Sequence, residues 1–436
     1  MCSYVRLMKV THQRYMQESL PPEVEIRTTN TTWKQISRTT MGAAISKTVV
    51  MEELEKLKKE WGNKNLPDLT TRFQEDLDLL KNTTLQIAIT GVSGAGKSSL
   101  VNALRGMTDF EDGAAETGVT ETTMEHKSYP HPTFPNVTMW DLPGIGTPNF
   151  KPKEYLKKVK FEKYDFFIII ASNRFTENDV LLAREIRKTN KRFYYLRTRV
   201  DSSIDSESKK PNYSKEKCLE KIREYCCDNL TQAGESNPRV FLISRWHLDK
   251  YDFPLLQETL ENELDDLKRD VLILAMPAFS KEALKKKRAT LEAYIMKVAL
   301  LSCVTGAVPV PGLSVVCDLA ILVGSMIHIC QVFGLDEGSL NRLAKRVGKP
   351  VDVLKSAIKK SPLVSQITKE FVIDMLTKSA VCGILMAAEF VLDFVLVLGS
   401  LTGGALSFGT TFYILKNFLH DAEKDAENVR AKAVES

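Results

Sequence analysis

Histidine is scarce in this chain, with six scattered residues among 436, and the eight cysteines form no Cys-x-x-Cys pair. Zinc and dithiol redox chemistry therefore lack a ligand set. The cysteines read as reduced, mostly buried thiols of a cytosolic protein. Charge of one sign is also missing: 60 Lys and Arg stand against 55 Asp and Glu, a net +5. So small a surplus, with no basic stretch interleaved with aromatics, argues against nucleic acid as a partner. The opening residues MCSYVRLMKV contain no apolar run long enough for a secretory signal. The rest of the composition is ordinary, at 43% hydrophobic and 26% charged, and the length suits two or three domains with substantial cores.

Residues 1–40 are polar and poorly periodic, and are expected to be a loosely ordered extension. Residues 41–81 form an N-terminal helical segment, with Leu69, Phe73, Leu77 and Leu80 at helical spacing. From 82 to 255, short apolar runs alternate with amphipathic helical patterns. The runs are LQIAIT (85–90), NVTMW (136–140), DFFIIIA (165–171), RFYYL (192–196) and RVFLI (239–243). Such alternation predicts an α/β sheet covered on both faces. Residues 256–436 are helical in pattern to the end.

The strand-like run LQIAIT leads directly into GVSGAGKS at 91–98, and a helical pattern follows. This is the strand–loop–helix setting of a phosphate-binding P-loop. Gly91, Gly94 and Gly96, with Val92, Ser93, Ala95 and Ser99 between and beside them, let backbone N–H groups close around phosphate oxygens. The helix N-terminus adds its partial positive charge. Lys97 would reach the β- and γ-phosphates, and the Ser98 hydroxyl would ligate Mg²⁺.

Two later segments select the base. WDLPGIG (140–146) ends a predicted strand; Asp141 suits a carboxylate that holds Mg²⁺ through water, and the Gly144 N–H suits a γ-phosphate sensor. TRVD (198–201) ends another, and Asp201 is placed to accept from guanine N1 and N2. Adenine lacks those donors, so a buried carboxylate there would be left unpaired. Thr198 begins this motif, Arg199 could lie on the base, and the Ser244 backbone, at the end of a further strand, could meet guanine O6. The order P-loop, DLPG, TRVD and strand-end serine indicates a guanine-nucleotide domain.

GVSGAGKSSLVNALRG, GAAETGVTETTMEH, WDLPGIGTPNF, YDFFIIIASNRF and RTRVDSS resemble the corresponding segments of the immunity-related GTPases, the interferon-inducible IRG family. The resemblance runs from about 70 to 436. It implies a Ras-like P-loop GTPase domain, with a mixed, mostly parallel sheet, beside a helical domain built from N- and C-terminal helices. It also implies GTP and Mg²⁺ as ligands and GTP-driven, dynamin-like self-assembly with itself and related GTPases. The implied setting is cytoplasmic and peripheral to internal membranes: endoplasmic reticulum, Golgi or a pathogen-containing vacuole, in interferon-linked cell-autonomous immunity. With Lys97, the chain is similar to the family's effector subgroup rather than to its methionine-bearing regulatory subgroup. It departs from the family's T-K and S-N patterns at Arg199 and Arg245.

After Gly144 stands Ile145, where many small GTPases carry a water-orienting glutamine. Lys97, Ser98 and Gly144 are the candidate catalytic residues, and intrinsic hydrolysis is expected to be slow unless another group or a second molecule completes the site. The alternative is a nucleotide-dependent module that docks partners without hydrolysing GTP. Switch I is expected within 113–123, with Thr117 and Thr123 the preferred γ-phosphate or Mg²⁺ contacts among its four threonines.

MGAAISK at 41–47 fits the myristoylation pattern, but Gly42 is acylatable only if the chain begins at Met41. Two apolar stretches, 299–333 and 379–398, approach membrane-span length. Asp318, His328, Glu389 and Asp393 interrupt them, so buried helices are expected over true spans. KKKR at 285–288 is a candidate headgroup contact, or a solvated face.

Overall fold

The computed structural model describes residues 66–118, 125–145, 151–172, 176–248, 250–278, 280–306, 313–376 and 402–435, all within one compact unit, Trp61–Ser436. The expectations for residues 1–40, Gly42, Thr123 and the stretch 379–398 lie outside the described residues.

After helix α1 (Leu66–Asn82), the chain alternates strand and helix. In order come β1 (Leu85–Gly91), α2 (Lys97–Leu104), β2 (Lys127–Pro130), β3 (Val137–Asp141), α3 (Pro152–Lys158), β4 (Phe166–Ala171) and α4 (Glu177–Lys188). Then follow β5 (Arg192–Arg197), α5 (Val200–Ser208), α6 (Lys215–Gln232), β6 (Val240–Leu242), α7 (Phe253–Glu263) and α8 (Asp266–Ala275). The strands form one sheet in the order β2-β3-β1-β4-β5-β6, parallel except for β2, which pairs antiparallel with β3.

The five apolar runs became the five parallel strands, because each must be buried on both faces. In β4 every residue of FFIIIA is buried. Ile87, Ile89, Phe166, Ile168 and Ile170 pack towards α2, α7 and α8. Ala88, Phe167, Ile169 and Ala171 point the other way, towards α3, α4 and α6. The edge strand β2, KSYP, has no such periodic signal; it is largely exposed, and its lysine and proline suit an edge.

Among the described residues, the helices that follow include α9 (Lys281–Gly306), α10 (Leu313–Phe333), α11 (Glu337–Val347), α12 (Val351–Lys355) and α13 (Thr402–Val434). The long α9 packs along α13, α10 and the N-terminal α1, so helices from both ends of the chain share one bundle. Leu291, Ile295 and Ala299 of α9 and Leu415, Leu419 and Ala422 of α13 are buried there. Within α10, Leu322, Met326, Ile329 and Cys330 are buried. By length and composition alone, Leu319–Val347, which runs from α10 through a short turn into α11, is the one stretch among the described residues that would pass for a span, and half of its apolar window is buried in protein.

The basic run 285–288 is not a solvated face. Lys287 is buried, Lys286 pairs with Glu261, and Arg288 pairs with Glu292 and Glu423. Tertiary packing divides the run because a helix turns successive residues through about 100°.

Candidate functional site

The parallel strands β1, β3, β4 and β5 end on the same side of the sheet, and the segments predicted to bind nucleotide follow their carboxyl ends. This is where open α/β sheets place ligands.

The loop 91–96 has the backbone that glycine permits. Gly91, Gly94 and Gly96 have φ of 141°, 76° and 97°. The reasons differ. A Cβ on Gly91 would sit 2.1 Å from the Ile170 carbonyl oxygen, so glycine there lets the loop leave β1 against β4. A Cβ on Gly94 or Gly96 would meet nothing within 4 Å. There the angle alone demands glycine, and the space above the loop is open. Gly96 caps the N-terminus of α2, where orphan N–H groups and the helix dipole favour an anion. Ala95 is buried, Ser93 is exposed, and Val92, Ser98 and Ser99 are half-buried.

Lys97 is the first residue of α2 and is 7% exposed; its Nζ donates to the carbonyls of Gly91 (3.3 Å) and Val92 (3.4 Å). The ammonium is thus folded over the loop. Ser98 Oγ donates to Asp141 Oδ2 at 2.6 Å. Asp141, at the end of β3, is almost wholly buried. A hydroxyl and a carboxylate converging at a helix N-terminus are the hard oxygen donors that Mg²⁺ prefers. With Mg²⁺ bound, Ser98 would ligate it and Asp141 would hold its water.

The turn after β3 is held from α3. The Tyr155 hydroxyl shares a 2.7 Å hydrogen bond with Thr90 Oγ1 and donates to the Pro143 carbonyl at 3.0 Å. Burial pushes its phenol well above the ordinary range, so it remains a donor. Gly144 follows directly. Ile145 is fully buried in the apolar cluster below, so its side chain cannot orient a water.

In the segment predicted to read the base, Thr198 is buried and its Oγ1 donates to the carbonyl of Ala95 at 2.9 Å. Arg199 adopts φ 54° as the N-cap of α5, and its Nη2 donates to the Gly94 carbonyl at 3.0 Å. TRVD is therefore tied to the P-loop at two points. Asp201 lies half-buried in the first turn of α5. Ser244 is fully buried; its Oγ accepts from the Trp246 amide and its carbonyl from the His247 amide.

Other residues build the site without a motif to announce them. Buried Asn102 of α2 donates to the Ala115 carbonyl (2.9 Å) and to Asp109 (3.0 Å), and accepts from the Ala115 amide (2.6 Å). Arg105, one turn on, donates to the carbonyls of Gly113 (2.9 Å) and Pro130 (3.0 Å). Together they fix the start of the predicted switch I, where Thr117 is half-buried. Arg245, the departure noted above, pairs with Asp109 and lies 4.0 Å from the Trp246 ring centre. Buried Arg197 braces the TRVD turn through the carbonyls of Ser172 and Thr198. Sequence reasoning had no signal for these contacts, since each joins residues through the fold.

A family model described as Interferon-inducible GTPase (IIGP) matches residues 50–433. The chain is 41% identical over 386 residues to Interferon-inducible GTPase 5 of Rattus norvegicus, spanning 88% of this chain and 83% of the relative. It is 38% identical over 357 residues to Interferon-gamma-inducible GTPase 10 of Mus musculus, spanning 81% and 83%. To Interferon-inducible GTPase 1 of Mus musculus it is 34% identical over 367 residues, spanning 84% and 86%.

Proposed function

This chain belongs to the interferon-inducible GTPase family, and from that premise we propose that it binds GTP with Mg²⁺ and hydrolyses it to GDP and phosphate. The observation that carries this reading is the convergence at one helix N-terminus of the open glycine loop, Lys97, and the Ser98–Asp141 hydrogen bond. Lys97 and the loop amides bind and orient the triphosphate, and the Gly144 N–H meets its terminal phosphate. Bound Mg²⁺ would neutralise phosphate charge. Asp201 selects guanine, with Thr198, Arg199 and Ser244 shaping the base pocket. Thr117 and Thr123 are the switch I contacts.

Ile145 offers no group to position water, so a second copy, or a related GTPase, completes the site in trans. GTP-dependent self-association is the form this takes. It occurs in the cytoplasm, peripherally on an internal membrane (endoplasmic reticulum, Golgi or a pathogen-containing vacuole), as part of interferon-linked cell-autonomous defence. The burial of Ile145 also favours a second reading, in which the bound nucleotide acts as a switch for docking partners and hydrolysis is negligible.

GTP turnover per molecule, measured over a range of protein concentrations with ATP as control, separates the two. Specific activity that rises with concentration supports completion in trans. Flat, near-zero turnover with intact GTP binding supports the docking switch. Equal turnover of ATP would overturn the role given to Asp201.

A further inference from the structure

A cavity of about 460 Å³ lies between the sheet and the long helices. Its wall comes from the end of α2, the β2–β3 turn, the α8–α9 connection, the end of α10, α11 and the C-terminal turns of α13. None of the residues assigned above to phosphate, Mg²⁺ or base lines it.

Five of its lining side chains are cationic: Arg105, Lys287, Arg342, Arg346 and Arg430. Among the described residues that line it there is no aspartate or glutamate. Most of the remaining wall is apolar, including Met276, Leu284, Leu343 and Val429.

Three of these cations, Lys287, Arg342 and Arg105, donate to neutral acceptors. Lys287 is 3% exposed, and its Nζ donates to the carbonyls of Leu274 (2.6 Å) and Val332 (2.9 Å). Arg342 Nη2 donates to Ser339 Oγ (2.7 Å) and Thr133 Oγ1 (3.3 Å). Arg105 donates to two backbone carbonyls. His131 also lines the cavity; burial first, and then Lys287, Arg342 and Arg105, pushes its imidazole down to about 3. Burial likewise lowers the Lys287 ammonium to about 7.

Cations withdrawn from water beside apolar walls are costly until an anion joins them. The apolar wall is satisfied by hydrocarbon, and the volume lies within the ~300–1,000 Å³ of small-molecule sites. We propose that this cavity binds a single-chain amphiphile with an anionic head, the head meeting Arg105, Lys287 and Arg342 and the chain lying against the apolar side chains. The cavity contains none of the residues assigned to phosphate, Mg²⁺ or base, and the proposal stands whether or not GTP is hydrolysed.

The test is calorimetric titration of the full chain, in GDP, with oleate and with oleoyl lysophosphatidate below their micelle concentrations. Monoolein and inorganic phosphate are the controls. The expected result is saturable binding of both anionic amphiphiles, at least tenfold tighter than either control. Arg342→Gln, which removes a charge, and Leu343→Trp, which fills space, should each weaken it tenfold or more while GDP affinity is unchanged. Equal binding of monoolein would leave only a greasy pocket, and equal binding of phosphate only an anion site; either result overturns the proposal. So does the absence of saturable binding, or binding that persists in both variants while they remain folded.

Discussion

Ser98 Oγ donates to Asp141 Oδ2 across 2.6 Å, joining the N-terminus of α2 to the end of β3. The pair is 43 residues apart in sequence. It brings together the two oxygen donors on which the Mg²⁺ assignment rests. Asp141→Asn and Ser98→Ala should each weaken GTP binding in Mg²⁺ by about 10–100-fold. A fluorescent-nucleotide titration repeated in EDTA checks the cause. The deficit should vanish without Mg²⁺; a deficit of equal size there would mean that the pair supports the fold instead.

The glycines of the loop should separate stability from binding. In Gly91→Ala, the new Cβ collides with the Ile170 carbonyl at 2.1 Å. The expected loss is about 3 kcal/mol, seen as a lowered midpoint in urea. Gly94→Ala meets no atom within 4 Å. It should cost only about 1–2 kcal/mol, from its left-handed backbone, while its effect on GTP affinity is the larger one. Similar unfolding midpoints for the two variants would refute the distinction.

Asp201→Asn replaces an acceptor with a group that both donates and accepts. GTP affinity should fall by about 2 kcal/mol, or roughly 30-fold, the worth of a hydrogen bond to a charged group. Affinity for xanthosine triphosphate, whose 2-position carries an acceptor, should rise. Competition binding with the two nucleotides reads both, and an unchanged preference for guanine would remove Asp201 from the base pocket.

His131 should make the fold acid-sensitive. Its Nδ1 accepts from the amides of Thr133 (3.2 Å) and Phe134 (3.1 Å), so the neutral ring is the bound form. Its ordinary value of 6.5 drops to about 3 in the fold, through burial first and neighbouring cations second. Between those values the unfolded chain binds the extra proton. Stability is therefore full above about pH 6.5 and is lost as pH falls towards 3, by on the order of 4 kcal/mol. His131→Gln should flatten that part of the urea-midpoint profile. An unchanged slope would assign the acid sensitivity to other groups.

Local chemistry is what could be read from the chain alone. A strand buried on both faces needs continuous apolar residues, so FFIIIA and LQIAIT announced themselves. A phosphate loop needs positive φ at fixed intervals, so Gly91, Gly94 and Gly96 did too. The segments predicted to bind nucleotide stood out for the same reason, since each is a few consecutive residues with one backbone task. The edge strand β2 was not, because an edge exposed to water demands no apolar period. Nor were the Asn102–Ala115 clamp, the Arg245–Asp109 pair, the burial of Ile145, or the withdrawal of Lys287 from an otherwise ordinary basic run. Sequence by itself determined that the chain carries a glycine-rich loop between a strand and a helix, on an α/β sheet followed by helices. Only the tertiary structure decided which polar groups meet across it and which cations lose their water, because those depend on distances between residues that no local spacing encodes.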